Sequence, residues 1–150
     1  MDPATLAPWQ QLVAESLDVP AIVAFVVGSA WYSADENERT ELVRLIGRQI
    51  AALYARRLLK DRDATLSIAG AQPIGADEAL VMSRLTRRDG SVESIDWRVR
   101  RRAPGDYRIL DIVSDGQSLA AAKRAEYAVL LQRSRGDVAG LIQVLRADTQ

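Results

Sequence analysis

The sequence predicts an α+β fold: amino-terminal helices, an antiparallel meander of about four strands, then carboxy-terminal helices. Three observations predict it. Apolar residues recur at helical spacing as far as Lys60, short alternating segments bounded by Gly, Pro and Asp follow, and helical spacing returns from Ser118. No repeat, linker or low-complexity tract divides the chain, so residues 1–150 read as a single domain.

The first element is a short amphipathic helix over Leu6–Leu17, with Pro8 near its start. Asp18 then stands as the N-cap of a second helix, Val19–Val27, with Pro20 in its first turn and Gly28 as its stop. Ile22, Val23, Phe25, Val26 and Val27 make this segment apolar nearly all round, so it should be deeply buried or lie against a ligand. Ser33 and Glu36 have the spacing of a capping box ahead of the clearest helix of the chain. Its stripe is Leu42, Leu45, Ile46, Gln49, Ile50 and Leu53, and Glu38, Arg39, Glu41, Arg44 and Arg48 form the wet face.

Ala64–Gly70 and Glu78–Thr86 read as strands, and Arg88-Asp89-Gly90-Ser91 as a two-residue hairpin turn, because Asp-Gly tolerates positive φ. In the next strand Ile95, Trp97 and Val99 point one way and Asp96, Arg98 and Arg100 the other. Pro104-Gly105 turns the chain into a last strand, Tyr107–Val113. A helix from Ser118 to about Gln132 follows. Asp137 caps the final one, which carries Val138, Leu141, Ile142 and Leu145 on its inner face.

Composition excludes whole classes of chemistry. The 150 residues include no His and no Cys, which removes the Ser-His-Asp triad, the Cys-His pair, thiolate nucleophiles, disulfides and imidazole or thiolate metal sites. Twenty basic residues balance 20 acidic ones, and no third of the chain departs from balance by more than one charge. Nucleic-acid binding needs a basic surplus gathered on one face, so none is expected. The longest apolar run is far short of the roughly 20 residues that span a bilayer. The start Met1-Asp2-Pro3 has neither the basic nor the apolar region of a signal peptide.

Carboxylates, arginines, tyrosines and apolar surfaces remain. Asp111 and Asp115, with Asp96 on the neighbouring strand, could serve as acid-base groups or cation ligands, or as turn caps and arginine partners. Arg98-Val99-Arg100-Arg101-Arg102 could contact phosphate or a lipid headgroup, with Arg98 and Arg100 on one strand face, or form a solvated sheet face. The segment Gly70–Gly75 lacks phosphate-loop spacing. Tyr54, Tyr107 and Tyr127 could be acid-base groups, but amphipathic rings with their hydroxyls at the core boundary explain them more simply. The apolar surplus either packs into one core or leaves a ligand cavity where helices and sheet fail to close.

In the carboxy-terminal half, Ile95-Asp96-Trp97-Arg98-Val99, Gly105-Asp106-Tyr107-Arg108-Ile109-Leu110-Asp111-Ile112 and Asp115-Gly116-Gln117-Ser118-Leu119 come in that order. Arg124, Glu126-Tyr127, Gly136 and Leu141 to Leu145 follow. Earlier stand Leu17-Asp18-Val19-Pro20-Ala21-Ile22, then Gly28 with Trp31, then Tyr54 with Leu58. Order and spacing together, from about Ala14 to Leu145, resemble the MlaC/toluene-tolerance family, with hopanoid-associated relatives. Gln117 and Asp115 depart from it, standing where members have an aliphatic residue and a glutamate.

The resemblance implies a nuclear-transport-factor-like cone and a non-enzymatic periplasmic carrier of phospholipid. It implies partners in an inner-membrane ABC transporter complex and an outer-membrane lipoprotein complex, and a part in outer-membrane lipid asymmetry. No cofactor, metal or catalytic residue is expected. Family members begin with a signal peptide and a further helical region, neither of which is expected in this chain. The cavity should lie between Ile22, Phe25, Val26, Leu42, Ile46, Ile50 and Tyr54 on the helices and Ile95, Trp97, Val99 and Ile109 on the sheet, with Tyr127 beside it. Arg98 and Arg100 are the headgroup candidates. Two other readings stay open: an enzyme of the same fold using Asp96 or Asp111 as base, and an interaction module with a filled core.

Overall fold

Helices take both ends of the chain and strands its middle. The computed structural model describes residues 2–148; the side chain of Leu58 lies outside the described residues. Four helices come first: α1 (Pro3–Ser16), α2 (Val19–Val27), α3 (Ala30–Ser33) and α4 (Glu36–Lys60). The strands are β1 (Thr65–Ile74), β2 (Glu78–Thr86), β3 (Val92–Ala103), β4 (Asp106–Ser114) and β5 (Gln117–Ser118), and α5 (Leu119–Arg133) and α6 (Val138–Ala147) close the fold. The sheet is antiparallel throughout in the order β1-β2-β3-β4-β5. The expected α+β plan is the one found, with a fifth, two-residue strand added.

Local chemistry sets most element ends. Asp18 accepts from the Ala21 amide at 3.2 Å, and Gly28 ends α2 at φ 75°. Ser118 caps α5 and Asp137 caps α6. The first strand runs on to Ile74, past the expected end at Gly70, and two helix starts moved. The α1 helix starts at Pro3, because Asp2 caps it by accepting from the Thr5 amide at 3.0 Å. Pro8 therefore lies inside the helix, where its missing N–H leaves one carbonyl a turn earlier without its usual donor. The box at α4 is Asp35–Glu38 instead of Ser33–Glu36: the Glu38 amide donates to Asp35 at 2.8 Å, and the Asp35 amide to Glu38 at 2.9 Å. Ser33 ends the unforeseen α3, its hydroxyl donating to the Ala30 carbonyl.

The β2–β3 connection is a five-residue loop, 87–91, where a two-residue turn was expected. Only Gly90 there takes positive φ, while the Asp89 carboxylate accepts from the Ser91 amide. The Pro104-Gly105 turn is as expected, with Gly105 at φ 77°.

A bulge in β4 matters for everything that follows. Arg98 pairs with Asp111, but Val99 pairs with Ile109, so Leu110 is extra. Ile109 and Ile112, three residues apart, thereby share the side of the sheet that carries Ile95 and Trp97.

The closed core is helical. Val13, Leu17, Val23, Val26, Leu42, Leu45, Ile46, Leu141, Ile142 and Leu145 pack into one cluster between α1, α2, α4 and α6. Helices meet the sheet mainly at β4, where α1, α2 and α5 all touch it. The β1, β2 and β3 strands extend past that contact, and space opens between them and the helices.

Candidate lipid-binding cavities

Two apolar cavities lie where helices and sheet fail to close. The first, about 460 Å³, is bounded by Trp9, Leu12 and Val13 of α1, by the end of α4 and by Leu66, Leu85, Ile95 and Trp97 of the sheet. The second, about 270 Å³, lies between Ile22 and Val26 of α2, Ile46, Ile50 and Leu53 of α4, the bulged segment of β4, and Leu119 to Tyr127 on α5. Leu17, Tyr54, Ile109 and Ile112 border both, so the cavities are neighbours divided by four side chains. Volumes of this order are those of pockets that take small organic ligands.

Helical spacing along α4 grades the wall. Ile46, Ile50 and Tyr54 succeed one another at intervals of four, and Arg57 and Asp61 continue the same face. The lining therefore runs from hydrocarbon to charge towards the end of the helix, where Arg62 joins it. Most polar atoms in the walls are already paired. The Trp97 indole N–H donates to Ser83 Oγ at 2.9 Å, and Ser83 donates in turn to the Ile95 carbonyl at 2.6 Å, which fixes the indole in the first cavity. The Tyr127 hydroxyl donates to Gln49, and burial pushes its phenol up to about 12.

At the charged end, Glu93 is only 7% exposed. Burial pushes its carboxyl up. Hydrogen bonds from Ser114, Arg87 and Arg57 outweigh that and hold it at about 2, and Arg87 also binds Asp61 at 2.7 Å. This network ties the end of α4 to β3 and β4. A carboxyl depressed from 4.5 adds stability that is complete above pH 4.5 and is lost as pH falls through about 2. Glu93→Gln should cost about 2 kcal/mol at neutral pH, since both arginines keep some solvent. Its melting temperature should also fall less steeply than the wild type's between pH 4.5 and 2. Equal slopes in thermal melts would remove Glu93 from the acid response.

The expected site residues divide into three groups. Ile95 and Trp97 line the first cavity; Ile22, Val26, Ile46, Ile50 and Tyr127 line the second; Tyr54 and Ile109 line both. Three others stand apart. Leu42 is fully enclosed in the helical core, Phe25 is 44% exposed beneath the Arg124 guanidinium at 4.9 Å, and Val99 pairs with Ile109 without bordering either cavity. The third group is the two headgroup candidates. Arg98 and Arg100 project from the opposite face of the sheet, both ion-paired to Glu78, at 2.6 and 3.0 Å. Strand alternation puts them there, because Trp97 and Val99 hold the cavity side.

The carboxylates of interest serve the backbone. Asp111 accepts from the amides of Ile112 and Ala120 and from the Ser118 hydroxyl, and Asp115 accepts from the Ser94 amide. Among the described residues, no three His, Cys, Asp or Glu side chains gather into a metal site. No helix there is long and apolar enough to cross a membrane. A third space, about 810 Å³, is a groove outside α1 and α2 where Arg44, Arg48 and Arg102 meet an apolar floor.

Trp9, Leu12, Leu66, Leu85 and Arg57 are cavity residues that the sequence reading did not single out. Only Arg57 carried a usable signal, standing one turn beyond Tyr54 on a helix already recognised.

The family model described as MlaC protein matches residues 4–147. Among solved structures, a phospholipid-binding protein from Ralstonia solanacearum, in complex with a phospholipid, superposes with a TM-score of 0.80 at 22% identity. The match covers 97% of this chain and 85% of that one. No curated protein sequence matches.

Proposed function

The chain belongs to the MlaC family, and on that premise we propose that it binds phospholipid and carries it between membranes without catalysing a reaction. The pair of apolar cavities sharing one wall supports this reading most directly. Burying a methylene contributes about 0.8 kcal/mol, so one acyl chain of about fifteen carbons gains on the order of 10 kcal/mol gross. Ordering the lipid and losing its freedom of motion remove much of that. The net affinity suits a carrier that holds its cargo until a partner takes it.

The lipid's tails occupy the two cavities, and its headgroup sits where Arg57 and Arg62 meet solvent at the end of α4. A phosphate there meets guanidinium groups. The Ralstonia protein, of the same fold, was solved with a phospholipid bound. By family membership the place of action is the periplasm, and the partners are an inner-membrane ABC transporter complex and an outer-membrane lipoprotein complex.

The protein purified from a bacterial host should carry phospholipid, identified by mass spectrometry of the organic extract and by native mass spectrometry of the complex. If none co-purifies and none loads from phosphatidylethanolamine/phosphatidylglycerol vesicles, the carrier reading fails.

A further inference from the structure

Tyr54 stands in the wall common to both cavities, between hydrocarbon on one side and Arg57, one helical turn later, on the other. Unlike Tyr127 and Trp97, whose polar atoms are paired, its hydroxyl makes no hydrogen bond to any described residue. It is not sealed inside the protein either. Among the described residues no enclosed side-chain oxygen or nitrogen lacks a partner, so the unpaired Tyr54 hydroxyl is not fully closed off by protein. Burial, with the Asp111 carboxylate adding to it and the Arg57 guanidinium opposing it, pushes the phenol up to about 12, so the group keeps its proton and is a donor at any physiological pH.

The surroundings say which acceptor it suits. The Asp111 carboxylate and the Arg57 guanidinium act on the hydroxyl with opposite signs, so their charges offset there and an uncharged acceptor suits it, while a phosphate suits the charged end of the same cavity, where Arg57 and Arg62 lie. Hydrocarbon tails offer no acceptor. Between phosphate and tails, an acyl lipid has uncharged acceptors in its ester carbonyls.

We propose that Tyr54 is a specificity-determining residue: its hydroxyl donates to an ester carbonyl of the bound lipid, so the protein prefers ester-linked over ether-linked phospholipids of equal chain length. This rests on the phospholipid reading above. A site built to bond a polar group discriminates against the analogue that lacks it, since the donor is then left unpaired in an apolar wall.

The test uses delipidated protein loaded with a fluorescent phospholipid. Dipalmitoyl phosphatidylglycerol and its dihexadecyl ether analogue then compete with the probe. Wild type should bind the ester about fivefold more tightly than the ether, the effect of one ordinary hydrogen bond. Tyr54→Phe should lose that ratio, because neither the ester's hydrogen bond nor the donor that the ether leaves unpaired remains. A wild-type ratio of one overturns the proposal, and needs no variant to fold. So does a ratio that survives in Tyr54→Phe. If the wild type binds neither lipid, the phospholipid reading itself falls, which separates the two failures.

Discussion

Ser16→Trp is expected to remove most of the lipid-binding capacity while leaving the protein folded. Ser16 ends α1 and borders the first cavity, outside the closed helical core. An indole at that position projects into space that a tail would otherwise fill. Displacing about five methylenes forfeits about 4 kcal/mol of burial, or a loss in affinity on the order of 1,000-fold. Because the cavity exists before the substitution, the ring fills room and does not overpack a core, so the melting temperature should change little. Lipid stoichiometry by native mass spectrometry and affinity by competition with a fluorescent phospholipid give the outcome. Undiminished loading in a variant that melts normally would mean the tails lie elsewhere, with the 810 Å³ groove next to be tried.

What the sequence made legible follows the range of the forces involved. Asp18, Ser118, Asp137 and the Pro104-Gly105 turn act within a few residues, and each does what its spacing indicated. The α4 stripe likewise carried Ile46, Ile50 and Tyr54 to a cavity wall. Competition between equally good local signals was harder to read. Ser33–Glu36 and Asp35–Glu38 both have box spacing, and only the pair whose first member takes extended backbone ahead of the helix forms it. Phe25 was misplaced because an all-apolar helix does not announce which side faces outward; an arginine 99 residues later covers its ring. The β4 bulge is a property of strand pairing, so no local pattern shows that Ile109 and Ile112 share a face. Arg98 and Arg100 differ in kind: alternation by itself puts them on the face opposite Trp97, where Glu78 pairs with both.

Leu141→Ala and Trp9→Ala should separate stability from binding, because the fold keeps them in different places. Leu141 is 0% exposed at the centre of the helical cluster, where α6 packs against α4. Truncating it leaves a void that close-packed helices fill poorly, costing about 3–4 kcal/mol and lowering the melting temperature by about 10 °C. Folded molecules of that variant should still bind phospholipid with wild-type affinity, since Leu141 borders neither apolar cavity. Trp9 is half-buried on α1, bordering the first cavity and absent from the closed core. Its removal should cost about 1 kcal/mol or less in stability, because the void it leaves merges with space already there. Lipid should nevertheless leave faster, as one aromatic wall of the first cavity is gone. Thermal melts of delipidated protein read the first quantity, and stopped-flow transfer of a fluorescent phospholipid to acceptor vesicles reads the second. A Trp9→Ala protein that melts as low as Leu141→Ala would show that Trp9 is part of the core, and one that releases lipid no faster than wild type that its ring does not hold the lipid.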